Sequence, residues 1–376
     1  MPRRNRGVGG STTVQPTTTN AEWNNGFWFL DQLNLLSSDA SVKDGTAHAY
    51  ANGMDTAAAD PRVEGISIRV RWSVLEPTQG NYDFGIFNNV RARYPNKKMA
   101  IRPMAGKHTP TFWKGQTYTG TPNDSGTGTT FTVPKPWLKS GATAIPGNTT
   151  FMQGWSNLAT ALIDWADRDG NCRMVHLTQY GHEWSELFYG DDLKKGWVAD
   201  FGGNWQTDCG AGSPCSDAVV LAHQEIMDVA SAKGALKPNI ALELPMSGHG
   251  VNDIGSRISG YAKQKFTDPK SFAVQSNCWG ATQAVQGFGC GRAGGSPPWC
   301  MAGFQAYATS GLTSTDTQNG NRQGLSWQDC YTQANTAGVT YTEVYRETYN
   351  NSTDLAALRA AQDAHVWAPT PTTLGI

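Results

Sequence analysis

Charge is scarce in this sequence. Only 16% of its 376 residues are Asp, Glu, Lys or Arg, and 30 basic against 31 acidic residues leave a formal net charge of -1. So even a balance exerts no long-range pull on nucleic acid or an anionic membrane, and neither is expected as a partner. No apolar run is long enough to span a bilayer, so no membrane insertion is expected. The opening stretch, MPRRNRGVGGSTTVQPTTTN, has basic residues but no apolar segment behind them. It does not read as a secretory signal peptide. Residues 1–22 lack periodicity and read as an extended, Thr-rich arm, either a disordered tail or an arm that docks on an oligomer or virion partner. No histidine stands at finger-like spacing from the cysteines, which excludes a zinc site of that kind. The Gly-rich GCGRAGG (289–295) follows no strand–helix pattern, so phosphate binding is discounted. No metal and no cofactor is expected.

There are seven cysteines, and two of them, Cys209 and Cys215, bracket the short loop CGAGSPC. A disulfide is expected there, and a second among Cys278, Cys290 and Cys300. Free buried thiols are the alternative, because connectivity cannot be deduced from spacing. Disulfides imply an oxidising exterior. The expected location is therefore extracellular or virion-associated, without a signal peptide.

What the chain does have is a series of short apolar runs separated by helix-like segments. Eight runs read as strands: 26–31, 65–72, 98–105, 173–180, 239–246, 271–277, 302–308 and 339–346. Alternation of strands with helical patterns implies an α/β fold with a parallel sheet. Eight such units imply a single (β/α)8 TIM barrel over 23–376. The long polar insertions at 106–150 and 280–300 follow strands, which puts them on the C-terminal face. Between the strands, Met152, Trp155, Leu158, Ala159 and Leu162 fall on one helical face. A second helix is expected to start at an N-cap, Ser216, and stop near Gly234. The last helix is expected to turn Leu355, Leu358 and Val366 inward.

Strand side chains alternate between faces, so each strand also declares what lines the barrel. Ile66, Ile68, Val70 and Trp72 share the apolar face that meets the helices. Ser67, Arg69 and Arg71 then point inward, as do Arg102 and Glu243, with Gln275, Asn277 and Gln305. On the last strand Tyr341, Glu343, Tyr345 and Glu347 share a face. Buried charges require partners, so Arg69, Arg71 and Arg102 are expected to meet Glu243 and Glu343.

The stretch GISIRVRWSVLEPTQGNYDF (65–84), followed by MAIRPMAGKHTPTFW (99–113), resembles the second and third strands of beta-galactosidase-like glycoside hydrolases of the retaining (β/α)8 clan. The arrangement Trp72…Glu76-Pro77…Gly80…Tyr82-Asp83-Phe84 carries the resemblance, which spans most of 60–350. Later segments look like uncharacterised glycosidase-like proteins of the same architecture. The resemblance implies an acid/base Glu at the end of the fourth strand and a nucleophilic Glu at the end of the seventh. Carried over, the acid/base position falls on Glu183, with His182 where Asn is usual and Glu186 as a neighbouring alternative. The seventh strand offers Gln305 and no acid. Glu343 takes the nucleophile role only if the strand count is off by one, with Glu347 as its alternative. Retention requires the two carboxyl groups about 5–5.5 Å apart.

Trp113, Trp184 and Trp279 follow strands and suit stacking on sugar rings. His108, His182 and Arg71 sit where they could hydrogen-bond sugar hydroxyls. Two functions stay open. One is a glycoside-hydrolase-like barrel that binds, and as a retaining O-glycosidase hydrolyses, an extracellular or cell-wall carbohydrate polymer. The other is a catalytically silent bacteriophage tail (minor tail or receptor-binding) protein on the same fold.

Overall fold

The computed structural model describes residues 26–31, 53–121, 130–176, 191–204, 213–234, 241–246, 254–266, 272–276, 301–306, 326–336, 340–350 and 352–367. The arm at 1–22 and the insertion at 280–300 lie outside them. Parallel strands and intervening helices bear out the α/β class. The parallel strands are β1 (Gly26–Asp31), β2 (Val63–Arg71), β3 (Lys98–Met104), β8 (Cys172–His176), β9 (Ala241–Met246), β10 (Phe272–Ser276), β11 (Met301–Ala306) and β12 (Tyr341–Tyr345). They pair in the order β1-β12-β11-β10-β9-β8-β3-β2, and β1 also pairs with β2, which closes the sheet. Each coincides with a run recognised in the sequence, with ends shifted by a few residues.

The described helices are α1 (Met54–Ala59), α2 (Trp72–Leu75), α3 (Gly85–Arg93), α4 (Thr149–Asp169), α5 (Asp191–Phe201), α6 (Pro214–Gly234), α7 (Ile254–Lys265), α8 (Trp327–Thr336), α9 (Arg346–Asn350) and α10 (Ser352–Ala364). α4 shows why these residues form a helix. Asn148 caps it by accepting from the Phe151 N–H, and Gly170 ends it in the left-handed region at φ 71. The expected stripe of Met152, Trp155, Leu158, Ala159 and Leu162 is buried throughout.

Two helix expectations are corrected. α6 starts two residues before Ser216, whose N–H is instead received by Ser213 Oγ at 3.2 Å. Val366 is 76% exposed, not inward, because α10 stops at Ala364 while Leu355 and Leu358 carry its buried face.

Among the described residues the core has two compartments. The larger lies between sheet and helices and takes the outward strand residues Ile66, Ile68 and Val70, together with Trp72. The smaller lies inside the sheet and consists of Trp28, Ala100, Met174, Ala273 and Tyr341. Trp28 lies so close to the neighbouring strand that a Cβ on Gly65 would come within 2.3 Å of its ring. Glycine at 65 is therefore a packing requirement, since overfilling such a layer forces backbone shifts.

Insertion 106–148 follows β3 and builds two antiparallel hairpins, β4–β5 (Thr117–Gly120 with Phe131–Pro134) and β6–β7 (Trp137–Ser140 with Thr143–Pro146). Two carboxylates dock these hairpins on α5. Asp192 accepts from both N and Oγ1 of Thr121 at 2.6 Å. Asp200 accepts from Lys135 Nζ at 2.6 Å and from Trp137 Nε1 at 2.9 Å. Edge-on packing of Trp137 on Trp197 completes the contact.

A buried histidine makes stability pH-dependent. His223 on α6 is fully buried and donates from Nδ1 to the Val219 carbonyl at 2.8 Å. Burial pushes its pKa down from 6.5 to about 4. The folded state thus resists a proton that the unfolded chain accepts. Stability is whole above pH 6.5 and falls as the pH drops toward 4. The loss is about 2 kcal/mol between pH 6.5 and 5 for one such group. Urea unfolding at pH 7 and pH 5 should show this loss, and His223→Gln should remove about that much of the difference. An unchanged pH dependence in the variant would contradict the assignment.

Candidate functional site

Above the apolar layer the inside of the sheet becomes polar. Glu343, mid-strand on β12, and Arg102 on β3 are both wholly buried and form an ion pair through Arg102 Nη2 and Glu343 Oε2. Arg102 Nε also donates to Ser67 Oγ at 2.9 Å. Arg69, whose Cα is in register with Arg102, donates from Nη1 to the Tyr345 hydroxyl at 3.0 Å. Its guanidinium carbon lies 5.3 Å from the centroid of the Tyr345 ring. Burial lowers the Arg69 pKa and raises that of Tyr345. Arg71 ends β2 as the outermost rung of this inward ladder and is half-buried, which lowers its pKa.

The expected meeting of an inward arginine with Glu343 is thus found, through Arg102. Glu243 stands in backbone register with His176 and Ala273, and its side chain lies outside the described residues.

His176, the last described residue of β8, is a member of this cluster that the strand reading did not single out. It is fully buried, and burial followed by the nearby Arg102 charge holds its pKa well below the ordinary histidine range. The signal was in the sequence: His176 is two residues on from Met174, which lines the interior, so strand alternation turns both the same way.

The motif at 72–84 forms a second polar centre, at the C-terminal ends of β2 and β3. Glu76 is wholly buried. Its Oε2 accepts from Trp72 Nε1 at 2.7 Å, and its Oε1 accepts from Gly80 N and Trp113 Nε1, each at 2.8 Å. Gly80 takes φ 76, a turn conformation that favours glycine. Tyr82 stacks on Phe84, and burial followed by the Glu76 charge raises the Tyr82 pKa to about 12. One carboxylate therefore staples the loop after β2 to the loop after β3.

These contacts locate the residues singled out from sequence. Trp113 is 7% exposed, is held by Glu76, and packs so tightly on α4 that a Cβ on Gly154 would come within 2.4 Å of its ring. It serves the loop as an anchor. His108 ends a short 3-10 turn, Gly106–His108, directly after β3 and is half-buried. Glu343 lies on the eighth parallel strand in chain order, not the seventh, and inside the sheet rather than at its mouth. The seventh, β11, reads MAGFQA and carries no acid. Glu347 is not on the strand face with Tyr341 and Glu343, because β12 stops at Tyr345 and the chain is helical from Arg346. Its side chain lies outside the described residues, as do Glu183, Glu186, His182, Trp184, Trp279 and Cys209. Cys215 is buried and disulfide-bonded, while Cys172 and Cys330 are buried free thiols. Among the described residues no group of His, Cys, Asp and Glu is arranged to hold a metal ion.

No family model and no curated protein matches the chain. Among solved structures, the catalytic domain of a beta-amylase from Paenibacillus polymyxa is similar to it. The identity is 9% over 90% of this chain and 98% of that one, with a TM-score of 0.48. So distant a likeness carries no argument about chemistry.

Proposed function

We propose that this protein is a glycoside-hydrolase-like (β/α)8 barrel that binds a glycan across the C-terminal ends of its strands. In this reading Glu343 holds the barrel interior together and does not attack a sugar. The observation that carries the reading is the placement of Glu343. A retaining nucleophile must be ionised and must reach an anomeric carbon in an open cleft. Glu343 is wholly buried, mid-strand, and paired with an equally buried Arg102. The loops stapled by Glu76 and the docked insertion 106–148 supply a rigid rim on the face where barrels of this kind bind ligands.

The test is a screen of plant, fungal and bacterial cell-wall polysaccharides, scored for binding and for release of reducing ends. Wild type, Glu183→Gln and Glu343→Gln are compared at a temperature where all three are folded. Binding by all three, with no turnover, is expected. Turnover by the wild type that disappears in folded Glu343→Gln would overturn the reading.

The disulfide at Cys215 supports an oxidising exterior, and we extend the proposal to an extracellular or virion-borne protein. A silent tail component anchored through 1–22 fits that setting.

A further inference from the structure

The last helix is fastened to the entry of the second strand. α10 follows β12, yet its side chains reach past β1 to the turn that opens β2. Asp60, the C-cap of α1, is the centre of this contact, and its side chain is 1% exposed. Its Oδ2 accepts from Arg359 Nε of α10 at 2.7 Å, and its Oδ1 accepts from Arg62 N and Nη1, each at 3.0 Å. Arg62 in turn holds Asp363 of α10 through both carboxylate oxygens, at 2.6 and 2.8 Å. The four groups alternate in sign, so each has an opposite charge beside it. Burial pushes the Asp60 pKa up, but the hydrogen bonds from the Arg62 backbone and the Arg359 side chain outweigh it and hold the carboxyl below its ordinary range.

The two sides of this clasp are not equally fixed. The turn is pinned through its backbone. Val63 N–H donates to the Asp60 carbonyl at 3.1 Å, and Lys97 Nζ donates to the same oxygen at 3.0 Å. α10 has a thinner hold, because only Leu355, Leu358, Ala361 and Gln362 of its 13 residues are buried. Past its end the chain folds onto the start of β1. The rings of Trp367 and His365 lie 4.9 and 5.9 Å from that of Phe27, the second residue of β1. The segment is therefore held along one flank by charge and at its end by aromatic packing, with a narrow apolar face between.

Segments with few buried apolar contacts open before the rest of a fold. We propose that residues 352–367 form a strap across the N-terminal ends of β1 and β2 that opens as one unit, with the Asp60 clasp and the Phe27 seat as its two fastenings. Its release uncovers Phe27 at the start of β1 and leaves the strands of the sheet paired. The strap belongs to the N-terminal face, which in barrels of this kind serves stability, and it does not depend on what the opposite face binds.

Hydrogen exchange of the full chain, read by mass spectrometry on peptides from 352–367 and from β3, tests it. In the wild type, 352–364 should exchange faster than β3. Asp60→Asn keeps the shape of the carboxyl and removes its charge. It should speed exchange throughout 352–364 at least about tenfold while β3 changes by less than about twofold. Trp367→Ala, at the other fastening, should speed the same whole helix rather than its last turn alone. If Asp60→Asn does not fold, Arg359→Gln gives the same reading from a side chain that is 38% exposed. Exchange in 352–364 that is unchanged in the folded clasp variant, or that rises equally in β3, would overturn the strap and leave these contacts as contributors to global stability. A Trp367→Ala effect confined to the last turn would overturn opening as one unit.

Discussion

Replacing Glu76 with Ala is expected to destabilise the fold by about 3–5 kcal/mol, although the residue lies in a loop. The carboxylate receives two indole N–H groups and one backbone N–H, all in buried or part-buried settings. Removing it strands three donors, each of which costs about 1–3 kcal/mol when water does not replace the acceptor. Glu76→Gln separates charge from shape. It keeps the volume but offers one acceptor oxygen and puts an NH2 group against N–H donors, so about half the loss should persist. Urea unfolding followed by tryptophan fluorescence is well suited to this, because Trp72 and Trp113 are both ligands of the carboxylate. If Glu76→Ala unfolds within about 1 kcal/mol of wild type, the staple contributes little and the motif needs another explanation.

The Arg102–Glu343 pair should give the other large effect. Removing one partner leaves an uncompensated charge at a fully buried site, which costs about 3–5 kcal/mol. Arg102→Met and Glu343→Leu should each suffer that loss. The double variant Arg102→Met/Glu343→Leu should recover most of it, because two apolar side chains need no counter-charge. A double-mutant cycle measures the recovery as a coupling energy. Strictly additive single effects would mean that the two groups do not depend on each other, and the structural role assigned to Glu343 would fall with them.

How much of this was legible in the sequence depends on range. Eight strands could be found because alternation and turn residues are local signals, and the inward set Ser67, Arg69 and Arg102 followed from the same parity. The need for a buried acid opposite those arginines was also legible, as was Glu343 as its source. Other features depend on contacts made far along the chain. Nothing near Trp113 says that its indole is held by Glu76, 37 residues earlier. Nor does the alternation after Tyr345 show that the backbone turns helical at Arg346, which removes Glu347 from the strand face. His176 was overlooked for a different reason. A lone histidine in a strand has many uses, and only its neighbours Arg102 and Glu343 show that it belongs to a buried charge cluster.

The layer of Trp28, Met174 and Tyr341 inside the sheet bears on how the proposed glycan would be handled. Among the described residues, that layer and the buried Arg102–Glu343 pair fill the inside of the sheet with side chains. If the protein binds a glycan as proposed, a polymer chain would therefore arrive and leave by the same face. On that proposal it would lie across the rim as a rope lies over a bollard. Grip along such a rope comes from how many sugar units touch the rim at once, so longer oligosaccharides should hold on better until they outrun its width.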